Sequence, residues 1–74
     1  MNDLAAEFAL CIDPGGSEDL EKGKVYQILQ DSDAEAENML RVIDESAEDY
    51  LYPADFFVIL DLPQKAREAL FVHP

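Results

Sequence analysis

The chain has 74 residues, 49% of them apolar, and carries 17 acidic against five basic side chains, a formal charge of −12. That length suits a single domain, 1–74, with a compact core, and the apolar share is that of a globular chain rather than a disordered one. So negative a surface repels phosphate backbones and argues against direct binding of DNA or RNA, and no uncharged run approaches the ~20 residues of a membrane span.

The charge is uneven. Residues 1–61 hold 16 of the acids against Lys22, Lys24 and Arg41, whereas residues 62–74 hold Lys65 and Arg67 against Glu68 alone. No basic residue precedes an apolar stretch at residues 1–6, so a secretory signal is not expected. Cys11 is the single cysteine and permits no internal disulfide. It reads as a small buried apolar residue, and a reducing, cytoplasmic location is expected.

In chain order, Phe8-Ala9-Leu10-Cys11-Ile12 is a short apolar run that ends at Asp13-Pro14-Gly15-Gly16, a dense turn signal. A strand followed by a long polar loop through Glu21 is predicted. Gly23 suits a positive-φ junction, and Lys24-Val25-Tyr26-Gln27-Ile28-Leu29 has the β-branched and aromatic content of a second strand. Within residues 31–37, Ser32 with Glu35 fits a capping box, and Ala34 and Ala36 favour helix; one helical turn and a polar loop are both compatible.

Residues 39–43 read as a third strand, with Leu40 and Val42 on one face and Arg41 on the other. Glu45-Ser46-Ala47-Glu48 reads as a hairpin tip, returning through Tyr50-Leu51-Tyr52. Pro53-Ala54-Asp55 interrupts that strand, because proline cannot donate to a ladder, and residues 56–60 resume as an apolar strand. The period then changes. Pro63 suits a first helical position, and Leu62, Ala66, Ala69 and Leu70 recur at helical spacing, which predicts a helix of about two turns over 63–71. So short a helix must pack on something. The fold class predicted is mainly β: a small five-stranded closed barrel over about 8–60 with a short C-terminal helix.

Several stretches resemble a family of short, functionally uncharacterised bacterial and phage proteins. They are Cys11-Ile12-Asp13, Leu20-Glu21-Lys22-Gly23-Lys24-Val25-Tyr26, Arg41-Val42-Ile43-Asp44-Glu45-Ser46 and Glu48-Asp49-Tyr50-Leu51-Tyr52-Pro53, with Phe56 following. The resemblance implies an SH3-like barrel and imports no activity. Ala47 stands where that family has glycine; if the turn needs positive φ there, the alanine costs about 1 kcal/mol. Pro53-Ala54-Asp55-Phe56 also resembles the turn before the last strand of peptide-binding SH3 domains. The chain has no tryptophan to complete their proline-binding groove.

Enzymatic chemistry finds little support. The single histidine, His73, is one residue from the end, and one Cys with one His cannot close a zinc site. Gly23-Lys24 lacks the earlier glycine and following hydroxyl of a phosphate loop, since Glu18 and Val25 stand there. Asp31, Asp33, Glu35 and Glu37 alternate as in a calcium loop, but Ala36 and Val42 occupy its glycine and bidentate-glutamate slots. No cofactor and no enzymatic activity are expected.

Two groups of residues remain. Asp44, Glu45, Glu48 and Asp49 form an acidic hairpin that reads as a solvated face, with weak divalent-cation binding as the sharper hypothesis. Tyr50 and Tyr52, two apart on one strand face, make with Pro53 and Phe56 a candidate interaction surface. The expected function is a small acidic protein-interaction module whose partner has a basic surface, with the chain a monomer or weak homo-oligomer. The alternative is a nucleic-acid mimic or host-defence inhibitor of phage type, motivated by the charge.

Overall fold

A computed structural model describes residues 7–70. Its elements are β1 (Glu7–Cys11), β2 (Val25–Leu29), α1 (Ser32–Ala36), β3 (Met39–Ile43), β4 (Asp49–Pro53), a single 3₁₀ turn (Ala54–Phe56), β5 (Phe57–Leu60) and α2 (Gln64–Leu70). The strands form one antiparallel sheet in the order β4-β3-β2-β1-β5. Four consecutive strands make a meander, and the last returns to pair with the first.

The five strands and the C-terminal helix follow the sequence reading closely; closure does not. β4 and β5 are the two edges of the sheet and do not pair with each other, so the hydrogen-bonded ladder is open rather than a closed barrel. Pro53 ends β4 and the 3₁₀ turn redirects the chain, whose next strand is taken up by β1. Among the described residues, β4 and β5 are left as the two free edges of the sheet.

Local chemistry explains the connections. In the long loop after β1, Asp13 Oδ1 accepts the Gly15 N–H at 3.0 Å, and Gly15 and Gly16 both have positive φ. A Cβ at Gly15 would run into the Phe56 ring, which would have to shift. Gly23, at φ +88°, returns the chain to β2: its N–H donates to the Cys11 carbonyl, and the Cys11 N–H donates to the Lys24 carbonyl, both at 2.8 Å.

Residues 32–36 form a helical turn, but its cap is Asp31 rather than Ser32. Asp31 Oδ1 accepts the Ala34 N–H at 3.0 Å while Oδ2 takes a 2.7 Å bond from Nε of Arg41 on β3. The acid one position earlier serves as cap and ion-pair partner at once, which a serine cannot do. Asn38 leaves the turn at φ +60°.

Because paired residues of antiparallel strands point to the same side, the register separates two faces. One carries Ala9, Cys11, Tyr26, Ile28, Val42 and Phe57, which form the core with Leu20 from the long loop; Leu40, Tyr52 and Phe56 pack against them. Phe57 is the aromatic hub, meeting Tyr26 and Tyr52 edge to face with ring centroids 6.4 and 6.3 Å apart. The other face buries Phe8 and Gln27, and Leu70 of α2 lines a cavity there with Val25, Gln27 and Ile43. None of α2 is fully buried: Leu62 and Ala66 of the predicted stripe are half-covered, Ala69 and Leu70 are exposed, and Phe71 lies outside the described residues.

Candidate functional site

The acidic hairpin is built around one buried carboxylate. β3 leads into Asp44, only 5% exposed, and the loop returns at Glu48, whose carbonyl accepts the Asp44 N–H. Asp44 Oδ1 accepts the Ser46 N–H at 3.0 Å and the Ser46 hydroxyl at 2.5 Å; Oδ2 accepts the Tyr52 hydroxyl at 2.7 Å. Burial works to raise the Asp44 pKa. The bonds from Ser46 and Tyr52 outweigh it and hold the carboxyl below its ordinary value. Asp44 is therefore an anionic staple of the turn. The same turn holds Ala47 at φ +69°, the left-handed conformation anticipated for the position where the resembled family has glycine.

The other three acids point to different partners. Glu45 Oε2 accepts the Tyr26 hydroxyl at 2.6 Å and the Lys24 ammonium at 3.1 Å, which together lower its pKa and raise that of Lys24; the Tyr26 hydroxyl is pushed up by burial first and by this bond second. Glu48 accepts the Tyr50 hydroxyl at 3.1 Å, and Asp49 pairs with Nη1 of Arg41 at 3.0 Å. The four carboxylates do not converge. Among the described residues no group of three or more His, Cys, Asp or Glu side chains is arranged to hold a metal ion.

These same bonds tie the hairpin to the long loop. Glu45 donates its N–H to the Asp19 carbonyl at 2.9 Å, the Glu21 N–H donates to the Tyr26 hydroxyl at 2.8 Å, and the Tyr52 hydroxyl lies 3.4 Å from Ser17 Oγ. Loop, hairpin and two core tyrosines make one hydrogen-bonded unit.

The candidate aromatic surface is divided by the fold. Tyr50 and Tyr52 share a face, opposite Val42 and Leu40, so that face is the core side and Leu51, opposite Arg41, points the other way. Tyr52 is half-buried against Phe57 with its hydroxyl committed to Asp44, and Phe56 is half-buried over Gly15. Tyr50, at the sheet edge and 50% exposed, and Pro53 are the accessible members. The sequence reading missed the exposed Leu51, Val58 and Ile59. Apolar alternation marks a strand as packed but says nothing of which strand is left at an edge.

A cavity of about 390 Å³ lies between β2, the start of the hairpin and Leu70. Of the polar groups on its wall, Lys24 and Tyr26 are engaged with Glu45, and Asp44 with Ser46 and Tyr52 beyond it; Gln27 also lines it. Cys11 is fully buried, where desolvation raises its thiol pKa away from nucleophilic use, and His73 lies outside the described residues. No helix among the described residues is long and apolar enough to cross a membrane. Comparison of the chain with protein-family models, curated proteins and solved structures finds no match.

Proposed function

We propose that this protein is a non-enzymatic interaction module of SH3-like architecture that binds a protein with a basic surface. The strand order, with the last strand returning to the first after a 3₁₀ turn, supports that architecture, as does the sequence resemblance. The absence of enzymatic activity is inferred from the engagement of the ionisable side chains near the cavity, Lys24 and Tyr26 with Glu45 and Asp44 with Ser46 and Tyr52.

The observation that carries the reading is one exposed tyrosine, Tyr50, in an acidic rim. Tyr50 is half-exposed, its hydroxyl is held by Glu48, and its pKa is raised first by that bond. A tyrosine ring anchored beside carboxylates offers an arginine or lysine both a π face and a counter-charge. The excess of acids over bases extends that attraction over the whole surface.

Affinity capture with the wild type and with Tyr50→Ala tests this. The wild type is expected to retain a basic protein that elutes with rising salt and that Tyr50→Ala loses. Retention of no salt-sensitive partner overturns the reading, and equal retention by both baits removes Tyr50 from it.

A further inference from the structure

The two free edges of the sheet are not alike. β4 contains the charged Asp49 and ends on Pro53, two features that discourage another strand from pairing alongside. β5, with the sequence Phe57-Val58-Ile59-Leu60, has no charge and no proline, and Val58 and Ile59 are 47% and 50% exposed. Its backbone direction follows from the register. Cys11 exchanges its hydrogen bonds with the β2 side, and the Ile12 N–H donates to the Phe56 carbonyl at 2.8 Å. Leu10 and Phe8 therefore bond to Val58 and Leu60, and the N–H and C=O of Ile59 point away from β1. The Phe57 carbonyl points the same way, while the Phe57 N–H is used on Ala54. Among the described residues no backbone partner meets the Ile59 pair.

Charge decides what can occupy this edge. Asp55 and Asp61 flank β5 at its two ends and both are exposed. A second copy pairing antiparallel about Val58 would set Asp55 of each chain opposite Asp61 of the other, within a complex that doubles a charge of −12. Like charges disfavour self-association. They favour an extended segment with lysine or arginine at both ends of a short apolar centre, because Val58 and Ile59 offer apolar neighbours on both faces of the sheet.

We propose that β5 is a strand-addition site. It takes an extended, basic-flanked segment of a partner protein, hydrogen-bonded to Ile59 and held at its ends by Asp55 and Asp61. This deepens the interaction-module reading and rests on it, naming a second surface and the conformation of the bound segment.

The test uses a fluorescent synthetic peptide of alternating valine and threonine with paired lysines at both ends. Binding is followed by anisotropy, and amide hydrogen exchange locates it. The peptide is expected to slow exchange of the Ile59 amide by about tenfold or more at saturation. Replacing its lysines by glutamates, or the protein's Asp55→Lys and Asp61→Lys together, is expected to weaken binding by about tenfold. The double variant leaves the core untouched and keeps the test valid should Ile59→Pro, which removes the outward N–H, fail to fold.

Unchanged exchange at Ile59 with millimolar peptide overturns the proposal, as does binding indifferent to the flanking charges. If Tyr50 still governs capture of a basic protein while Ile59 stays unprotected, the β5 assignment falls and the broader reading stands. If the peptide protects Ile59 but Tyr50→Ala captures as the wild type does, the Tyr50 surface falls and β5 stands.

Discussion

Ala47 occupies a left-handed turn position at φ +69°, where its Cβ crowds the backbone and glycine would not. Ala47→Gly is expected to stabilise the protein by about 0.5–1 kcal/mol, the lower figure reflecting the larger unfolded-state entropy of glycine. A rise in the urea midpoint at unchanged m-value checks this; no rise would mean that hairpin contacts compensate the alanine. Gly15 is the opposite case. A Cβ there meets the Phe56 ring as well as a positive φ, so Gly15→Ala is expected to lower the midpoint, and its loss combined with Phe56→Ala to be smaller than the sum of the two single losses. Positive φ at residue 47 is suggested only by the glycine of the resembled family; at residue 23 it could be read from chain position, because local turn geometry is written locally. The contact between Gly15 and Phe56 could not: it joins segments forty-one residues apart that only the pairing of β1 with β5 brings together.

At the level of elements, the hairpin between β3 and β4 depends on Asp44 staying ionised. Its folded-state pKa lies below the ordinary 3.8, so the unfolded chain binds this proton more readily than the folded one. The sign follows: Asp44 contributes stability that is full above pH 3.8 and is lost as pH falls through its lowered native value. Asp44→Asn is expected to flatten that acid limb of the stability curve, measured by chemical denaturation at stepped pH. A variant as acid-sensitive as the wild type would remove Asp44 from the account. In a cycle with Tyr52→Phe, the bond between the two side chains is expected to show a coupling of about 1–2 kcal/mol, since either single change leaves a part-buried polar group without its partner. The sequence reading grouped Asp44 with three surface acids because spacing alone cannot tell a carboxylate folded under a turn from one facing water. The signal that could have found it was Asp44-x-Ser46, an acid two residues before a hydroxyl at a turn. The strands were legible from their apolar runs and breakers. Which strand became an edge was not, because that depends on whether β4 and β5 meet.

For the molecule as a whole, the excess of charge has a consequence separate from any partner. Of the basic side chains, Lys24 holds Glu21 and Glu45, and Arg41 holds Asp31 and Asp49. Exposed pairs of this kind contribute little each and are screened by salt. The remaining acids, spread over a small surface, repel one another, and that repulsion is relieved on unfolding as the charges move apart. Salt therefore acts in two directions. It weakens a few ion pairs and screens many like-charge contacts, and at −12 the second effect is larger. Raising sodium chloride from roughly 10 mM to 500 mM shortens the Debye length from about 30 Å to below 5 Å, less than the span of the molecule. The unfolding temperature is expected to rise over that interval, with most of the gain below about 150 mM, where screening first reaches neighbouring charges. A thermal melt followed by circular dichroism in sodium chloride, with sodium sulfate matched in ionic strength as a control, separates screening from general salting-out: screening follows ionic strength in both salts, whereas salting-out favours sulfate. A melting temperature that falls with salt would show that the Lys24 and Arg41 pairs outweigh the repulsion, and would weaken the case that an attracted partner is what the acidic surface is suited to hold.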